Sequence, residues 1–222
     1  MCGRFTLRSS GESVAEAFGL PEVPDLLPRF NIAPGQPVAV VREMTQAQDR
    51  QLAYLRWGLI PAWSDDPSIG DRLANARSET AATKPSFRRA FRSRRCLVVA
   101  DGFYEWQKIN GHKRPYFVGL QSDRPFGLVG LWERWEKHGE PVESCTILTT
   151  DANELMQPIH ARMPVILPPD QYGLWLDPRC QDAGKLAKLL RPFPAEGMLA
   201  YRVSTLVNNP KNDVPQCVEA IR

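Results

Sequence analysis

Short apolar runs separated by turn-forming residues dominate this chain. The runs have the length of β-strands, and residues 3–8 alternate apolar and polar positions as a strand with one buried face does. The pattern predicts strands at residues 3–8, 38–42, 52–57, 96–100, 103–107, 115–120, 126–132, 145–150, 163–167 and 199–204. The second and third of these are expected to form a hairpin, joined by the polar loop 43–50.

Helical spacing is confined to a few short segments. It predicts helices at residues 12–19, 152–157, 170–176 and 182–191, and Ser86 is placed to cap a basic helix that runs to about Arg94. The proline-rich stretch 21–35 is expected to be irregular. Many short strands with few helices favour one α+β domain over residues 1–222, built on a curved antiparallel or mixed sheet that approaches a barrel.

Composition limits the class of protein. The chain has 222 residues, of which 43% are hydrophobic, and no stretch reaches the ~20 apolar residues of a membrane span. The N-terminus lacks a basic-then-apolar signal region, so we expect a cytoplasmic protein that makes no membrane contact. Nothing points to a metal or an organic cofactor.

The number and spacing of the cysteines also limit the class of protein. They lie at positions 2, 96, 145, 180 and 217, are odd in number and include no C-x-x-C pair. That spacing argues against a disulfide framework and against a structural zinc site. Cys96 and Cys145 lie in apolar runs and are expected to be buried.

The distribution of positive charge is more informative than the net charge of +3. Five arginines crowd one segment: Arg88, Arg89, Arg92, Arg94 and Arg95. Such a segment either follows a phosphate backbone or forms a solvated basic face. The chain also has six tryptophans, and flat aromatic rings beside arginines are what a single-stranded nucleic-acid site uses.

The start of the chain carries the most distinctive chemistry. Cys2 is small enough for Met1 to be removed, which would leave a free α-amine and a thiol on adjacent carbons. An aldehyde reacts with that pair, first as an imine and then as a thiazolidine ring. The α-amine has an ordinary pKa of about 7.7–8.0, against about 10.4 for lysine, so far more of it is neutral near pH 7.5. The alternative is that Cys2 is an accident of the start site.

Three internal segments add candidate groups. Asn75 and Arg77 share a direction if the chain is extended there, and they would suit a sugar oxygen and a phosphate; a loop turn with a surface arginine is the alternative. Glu105 follows a strongly apolar strand and shares a face with Phe103, so it should be partly desolvated and act as an acid or base, unless it faces water on an edge strand.

His160 is the best general acid or base among three histidines, because His112 and His138 lie in polar turn-like segments. Arg162, two residues on, is placed to bind phosphate in the same direction, although a structural role for His160 stays open.

These motifs together resemble one known family. Residues 2–5, 29–34, 57–61, 75–79, 101–106 and 159–164, with the closing 203–204, 207–208 and 211–212, look like the ordered motifs of the SRAP (SOS-response-associated peptidase) family. The resemblance implies a compact α+β fold with a sheet curved toward a barrel, and a protein that binds single-stranded DNA with an abasic site and bonds to it covalently.

The resemblance also implies residue roles. Cys2 would be the nucleophile after removal of Met1, possible by autoproteolysis, and Asn75, Glu105 and His160 would complete the catalytic site, with latent lyase chemistry through the imine. The implied DNA-binding residues form two sets: Arg4, Arg77 and Arg162 match phosphate-binding positions, and Asn31, Trp57 and Trp63 match the walls of a DNA channel. We expect a monomer that shields the lesion, including lesions at junctions of single and double strand, and that associates with the nucleoid when bound to DNA.

Two other functions fit the same residues. Cys2, His160 and Asn75 supply the groups of a cysteine hydrolase, which would need the thiol but not a free α-amine. A non-catalytic single-strand binder would use the arginines and tryptophans, would bind intact and abasic strands equally, and would survive the loss of Cys2.

Overall fold

The structure is a computed structural model that describes residues 2–43, 49–137 and 139–221. Within these ranges the strands are β1 Phe5–Leu7, β2 Arg29–Ile32, β3 Pro37–Glu43, β4 Arg50–Trp57, β5 Asn75–Arg77, β6 Arg95–Ala100, β7 Gly102–Ile109, β8 His112–Leu120, β9 Phe126–Trp135, β10 Val142–Asp151, β11 Arg162–Pro164, β12 Ile166–Leu167 and β13 Met198–Arg202. The α-helices are α1 Gly11–Phe18, α2 Ser78–Ala81, α3 Arg88–Ser93, α4 Tyr172–Leu176 and α5 Ala183–Ala187. Short 3-10 turns cover Pro67–Arg72, Pro169–Gln171, Ala195–Gly197, Thr205–Asn208 and Pro215–Cys217.

Five strands close into a small barrel. The ring runs β10–β4–β3–β6–β9 and returns to β10, with a parallel β10–β4 pair and antiparallel pairs elsewhere. Short strands β5, β11 and β12 extend this sheet, β5 beside β10 in parallel and β11 on β10 in antiparallel register. The α+β class and the closure of a curved mixed sheet are therefore confirmed.

A second sheet covers the barrel. Its strand order is β13–β8–β7–β1–β2, and all its pairs are antiparallel. Strand β7 lies between two apolar clusters, because alternate side chains of a strand point to opposite faces. Phe103 packs into the large core shared with the barrel, whereas Tyr104 packs with Phe117, Val203 and Cys217 on the other side. Because side chains on both faces of β7 are buried, the position of Glu105, the next residue, is tightly fixed.

Helix α1 illustrates how local sequence sets an element. Ser10 accepts the Ser13 N–H at 3.3 Å as the N-cap, and Gly19 takes the left-handed conformation (φ 63°) that ends the helix. Val14 and Phe18, one turn apart, are buried against the core. This helix matches the predicted 12–19 closely.

Other expectations need correction. Residues 152–157, all described, form no helix beyond a single turn. The Asn153 side chain accepts the Met156 N–H at 3.0 Å and the Asn153 carbonyl accepts the Gln157 N–H at 2.9 Å, but Pro158 has no N–H with which to continue the helical ladder. Helix α3 begins at Arg88, and its N-cap Phe87 offers no capping side chain, so Ser86 is not the cap.

Two strands inside or beside predicted loops were missed. One is β2, which lies in the segment 21–35 that was expected to be irregular. The other is β5, where Asn75 and Arg77 were considered as extended but no strand was predicted. The predicted helix 182–191 is confined to α5, and the predicted strand 163–167 is split into β11 and β12. Part of the predicted loop 43–50 (residues 44–48) and His138 lie outside the described residues.

All five cysteines are free, and Cys96 and Cys145 are buried as expected. No helix among the described residues is long and apolar enough to cross a membrane.

Candidate active site

The pairing of β1 with β7 brings the start of the chain beside Glu105. Phe5 lies opposite Phe103, and Thr6 lies opposite Gly102. The Tyr104 N–H donates to the Arg4 carbonyl at 2.9 Å, so the pairing continues one residue toward the N-terminus. Cys2 lies two residues before Arg4, toward the N-terminus.

Cys2 is fully buried, and its position is fixed by a hydrogen bond. The Asn75 Nδ2 donates to the Cys2 carbonyl at 2.7 Å, while the Cys2 thiol lies 3.8 Å from the Arg4 carbonyl. Burial, with the negative charge of Glu105 adding to it, raises the pKa of the Cys2 thiol to about 12. The sulfur in this environment is therefore a neutral thiol near pH 7.

Asn75 is held in place by the barrel. Strand β5 runs parallel to β10, with Asn75 opposite Ile147. The Trp57 Nε1 donates to the Ala74 carbonyl at 2.8 Å, which anchors the chain just before Asn75. The Asn75 Oδ1 is buried and has no hydrogen-bond partner among the described residues. An amide oxygen of this kind is available to accept a hydrogen bond from a ligand.

Glu105 and His160 form a carboxylate–imidazole pair. The Glu105 side chain is 5% exposed and the His160 ring 33% exposed, and the His160 Nε2 lies 3.9 Å from the Glu105 Oε1. The His160 Nδ1 accepts the Arg162 N–H at 3.0 Å. A ring nitrogen that accepts carries no proton, so the proton of the neutral ring is on Nε2, toward Glu105. If the ring becomes charged, its Nδ1–H can donate a hydrogen bond to the Arg162 carbonyl, which lies 3.2 Å away.

The loop that carries His160 is the connection between β10 and β11. Its two ends are tied together by the Ala152 N–H, which donates to the Ala161 carbonyl at 3.0 Å. The Gln107 Nε2 donates to the Pro158 carbonyl at 2.9 Å. Because Gln107 is two residues after Glu105 on the same strand, this bond sets the spacing between the carboxylate and the imidazole. Sequence reasoning did not identify Gln107; its i+2 relation to Glu105 was the available signal.

The structure thus collects the four predicted catalytic residues from four elements. Cys2 precedes β1, Asn75 begins β5, Glu105 is on β7 and His160 precedes β11. Together they offer a buried thiol, an unsatisfied amide oxygen, a buried carboxylate and a partly exposed imidazole that can exchange protons with solvent. Such a set suits proton transfer around a reacting carbon near the N-terminus. No group of three His, Cys, Asp or Glu side chains in residues 2–43, 49–137 and 139–221 is arranged to hold a metal.

The three predicted phosphate-binding arginines differ in their surroundings. Arg77 is exposed on β5, on the same side as Asn75, since the intervening Ala76 points into the core. Arg4 donates to the Asn31 Oδ1 at 2.8 Å and to the Val207 carbonyl at 2.7 Å, and burial lowers its pKa. It therefore ties the first strand to the C-terminal segment.

Arg162 is bound by two carboxylates. Its guanidinium makes a two-point contact with Glu79 (2.7 and 3.0 Å) and a third contact with the Asp151 Oδ1 (2.8 Å). The ion pair lowers the pKa of Glu79 and raises that of Arg162. A phosphate could bind Arg162 only by displacing these acids or by joining them. Glu79 was missed as a site residue, although it lies two positions after Arg77.

Two of the predicted DNA-channel residues are not on the surface. Asn31 is 0% exposed, and its Nδ2 donates to the carbonyls of Val207, Asn209 and Asn212. Trp57 is also 0% exposed and packs edge-on against Phe5 in the core. In this structure the polar groups of both side chains are therefore engaged within the protein, and that Asn31 and Trp57 line a DNA channel stays a prediction.

Trp63, the third residue of this group, lies on the surface, and its role in DNA binding stays a prediction. It is 54% exposed, and its Nε1 lies 3.4 Å from the Pro85 carbonyl.

Comparison with known proteins gives a consistent match. Residues 1–210 match the family described as SOS response associated peptidase (SRAP). The abasic site processing protein YoqW of Bacillus subtilis is 44% identical, over 99% of this chain and 100% of that protein. The abasic site processing protein HMCES of Gallus gallus is 36% identical, over 87% of this chain and 66% of its own length. A crystal structure of a Bacteroides thetaiotaomicron protein covers 100% of both chains with a TM-score of 0.87 and 28% identity.

Proposed function

The chain belongs to the SRAP family, and on that premise we propose that it binds abasic sites in single-stranded DNA and becomes covalently joined to them through Cys2. The names of its relatives support a role in processing abasic sites. The observation that carries the proposal is the cluster in which Asn75 holds Cys2 beside the Glu105–His160 pair. We propose further that the chain acts as one domain and as a monomer.

The proposed reaction begins with removal of Met1, which frees the α-amine of Cys2. An abasic deoxyribose is a masked aldehyde, so its ring must open to expose C1′. The amine nitrogen then bonds to C1′ and the aldehyde oxygen leaves as water, which gives an imine. Next the sulfur bonds to C1′ and the thiol proton moves to the nitrogen. The product is a thiazolidine ring that joins Cys2 to the DNA and shields the lesion.

The side chains around Cys2 supply the proton transfers. His160 exchanges protons with solvent at its exposed edge, and with Glu105 it can move the protons that open the sugar and release water. Asn75 fixes the Cys2 backbone through Nδ2, and its unsatisfied Oδ1 is directed to a sugar hydroxyl. Exposed Arg77 holds a flanking phosphate, and Trp63 stacks on a base. Holding the strand in this way keeps the aldehyde close to the amine at high effective concentration.

Arg4 and Arg162 have different roles in this proposal, because both guanidinium groups already have partners in the protein. Arg162 contributes to phosphate binding after an exchange in which phosphate replaces Glu79 or Asp151. Arg4 has its guanidinium engaged with Asn31 and Val207, so its main contribution is to position the residues that follow Cys2.

A cysteine hydrolase is less well supported by the same site. A hydrolytic cysteine needs a thiolate, usually stabilised by an adjacent imidazolium. Here burial and the Glu105 carboxylate both raise the pKa of the Cys2 thiol. A neutral thiol suits addition to an imine, where the sulfur loses its proton only as the ring closes.

The test is a denaturing gel shift with single-stranded DNA that carries one abasic site, after mass spectrometry has verified that Met1 is removed. Wild-type protein is expected to give a band that survives denaturation, and intact DNA is expected to give none. Cys2→Ala keeps the α-amine but stops at the imine, so it should give an unstable adduct and strand cleavage by β-elimination. Cys180→Ala, which changes a cysteine outside the cluster, is the matched control and should behave as wild type.

Either of two results would reject the proposal. One is the absence of an adduct with correctly processed wild-type protein. The other is a stable adduct from Cys2→Ala, since no thiazolidine can form without the thiol.

A further inference from the structure

The loop 152–161, which carries His160, contains a second polar side chain that the proposed reaction does not use. Asn153 is half-buried, and both ends of its amide contact the backbone. Its Nδ2 donates to the Phe193 carbonyl at 2.7 Å, and its Oδ1 accepts the Met156 N–H at 3.0 Å. A carbonyl can only accept and a backbone N–H can only donate, so the two contacts require one donor and one acceptor. The amide of asparagine offers both, whereas a carboxylate lacks the donor.

One residue connects the Asn153 side chain to the backbone of His160. The Met156 N–H donates to Asn153, while the Met156 carbonyl accepts the N–H groups of Ile159 at 2.8 Å and of His160 at 2.9 Å. Only the two backbone dihedrals of Met156 lie between these contacts. The Met156 side chain is buried, so packing fixes this residue as well. The position of the His160 backbone therefore depends on the Asn153 amide.

The Phe193 carbonyl anchors Asn153 to the sheet that carries Glu105. Phe193 precedes β13, whose first residue, Met198, is paired with β8, and β8 is paired with β7. The Asn153 Nδ2 also lies 3.2 Å from the Met198 Sδ. The loop that carries His160 begins and ends on the barrel sheet, because β10 and β11 both belong to that sheet. The Asn153 contact thus links this loop to the second sheet, where Glu105 lies on β7.

The contact that Asn153 makes is separate from the contact that Gln107 makes. The Gln107 Nε2, on β7, donates to the Pro158 carbonyl, so the loop is tied to the second sheet at two points. A loop of ten residues that is held only at its ends samples many conformations, because ordering each residue costs backbone entropy. With both internal contacts made, the His160 Nε2 lies 3.9 Å from the Glu105 Oε1.

We propose that Asn153 is a positioning residue that holds the His160 imidazole opposite Glu105 for the proton transfers of the crosslinking reaction. This inference rests on the proposed function, in which His160 and Glu105 move the protons that open the sugar and release water. Asn153 acts through the Met156 backbone and not on the substrate. A shift of a reacting group by about 1 Å can cost about 100-fold in rate. The gain from Asn153 cannot exceed the contribution of His160 itself, which for a general acid or base is about 100- to 10,000-fold.

The test is a double-mutant cycle of Asn153→Ala and His160→Ala, measured by single-turnover crosslinking at saturating single-stranded DNA with one abasic site. In the wild-type background, Asn153→Ala removes both amide contacts and should slow crosslinking by about 5- to 100-fold. In the His160→Ala background there is no imidazole to position, so the same substitution should change the rate by less than about two-fold. A merely structural role would give the same factor in both backgrounds.

Ser10→Ala is the matched control, because it removes a side chain that caps a turn of backbone outside the site by accepting the Ser13 N–H at 3.3 Å. It should lower the free energy of unfolding in urea but leave the crosslinking rate within about two-fold of wild type. DNA affinity is measured with a single strand that carries a tetrahydrofuran analogue of the abasic site, which has no aldehyde. Wild type and Asn153→Ala should bind this strand within about two-fold of each other, which separates positioning from DNA binding.

Asn153→Asp is the second variant, used if urea unfolding shows that the alanine variant is not folded. It keeps an acceptor for the Met156 N–H and loses only the donor to the Phe193 carbonyl, so it retains the local turn and releases the anchor. The same comparison of backgrounds applies to it. Crosslinking should be slower than wild type when His160 is present and unchanged by the substitution when His160 is replaced by alanine.

Crosslinking rates for Asn153→Ala and Asn153→Asp within about two-fold of wild type would overturn the inference. An equal loss of rate in both backgrounds would also overturn it, because Asn153 would then contribute only to the stability of the loop. An unchanged rate for His160→Ala would remove the role that Asn153 is proposed to support, while leaving the crosslink to Cys2 intact. Failure of wild type to crosslink would instead reject the proposed function, on which the inference rests.

Discussion

Replacing Asn75 by alanine tests the contact that positions the reacting residue. The substitution removes the 2.7 Å hydrogen bond from Nδ2 to the Cys2 carbonyl. A neutral hydrogen bond of this kind contributes about 0.5–1.5 kcal/mol net. If that energy holds Cys2 in its reactive position, the crosslinking rate should fall by about 2- to 13-fold, at about 1.4 kcal/mol per factor of ten.

Asn75→Asp sharpens the test because it keeps the shape of the side chain. It exchanges the donor for a second carboxylate oxygen that faces the Cys2 carbonyl, close to the charge of Glu105. The repulsion should make this variant slower than Asn75→Ala. We therefore expect the rate to fall from wild type to Asn75→Ala and again to Asn75→Asp. This order depends on the hydrogen bond and not on side-chain volume.

The assay is single-turnover crosslinking at saturating abasic DNA, quenched in denaturant, so that the rate does not reflect affinity. Urea unfolding of each variant controls for stability. An unchanged rate for Asn75→Ala, or a faster rate for aspartate than for alanine, would refute the positioning argument. A loss above about 100-fold for alanine would exceed one neutral hydrogen bond and indicate that Oδ1 also contacts the sugar.

Four further predictions concern Cys2, Trp57 and, in two measurements, the Glu79–Arg162 pair. In a chain that retains Met1, iodoacetamide should alkylate Cys2 at pH 8 orders of magnitude more slowly than free cysteine, because its pKa is raised to about 12; a free-cysteine rate would contradict this. Trp57→Phe should lower the free energy of unfolding in urea by about 1–3 kcal/mol but leave DNA affinity within about two-fold, because Trp57 is buried. Glu79→Gln should tighten DNA binding several-fold at low salt if phosphate replaces Glu79 on Arg162, and weaker binding would argue against that exchange. Since Arg162 lowers the pKa of Glu79, the stability from this pair is fully present above the ordinary carboxyl value of 4.5 and is lost as pH falls through the lowered pKa. Urea unfolding over a series of pH values should therefore show that the advantage of wild type over Glu79→Gln is largest at pH 7 and shrinks as the pH falls below 4.5, and an advantage independent of pH would contradict this.

Local pattern was sufficient for most strands and insufficient for several short elements. The runs around Val98, Leu128 and Ile147 are long and apolar, so their strand character follows from burial in the barrel. β5 has three residues, and its strand character depends on pairing with β10, which is distant in sequence. Residues 152–157 show helical spacing, but Pro158 and the short β10–β11 connection end the segment after a single turn.

In the candidate site, too, some features follow from the sequence and others do not. The residue types at Cys2, Glu105 and His160, together with their neighbours along the chain, are enough to indicate acid–base and nucleophilic chemistry. Whether a polar or aromatic residue is on the surface does not follow from its type or its neighbours. Trp57 and Trp63 look equivalent in the sequence, yet one is buried in the barrel and the other is 54% exposed.

The sequence by itself determined the α+β class and most strands, because these depend on the local period of apolar residues. Side-chain chemistry offered Cys2, Glu105 and His160 as candidate groups, and the resemblance to the SRAP family added Asn75 as a catalytic candidate. Only the tertiary structure decided which of these groups meet. The β1–β7 register and the Gln107 contact bring Cys2 and His160 toward Glu105. The tertiary structure also decided which charged residues form ion pairs. Glu79 binds Arg162 and Glu133 binds Arg94, whereas the arginines of α3 stay exposed. Ion pairs and burial arise between residues far apart in the chain, so no local pattern encodes them.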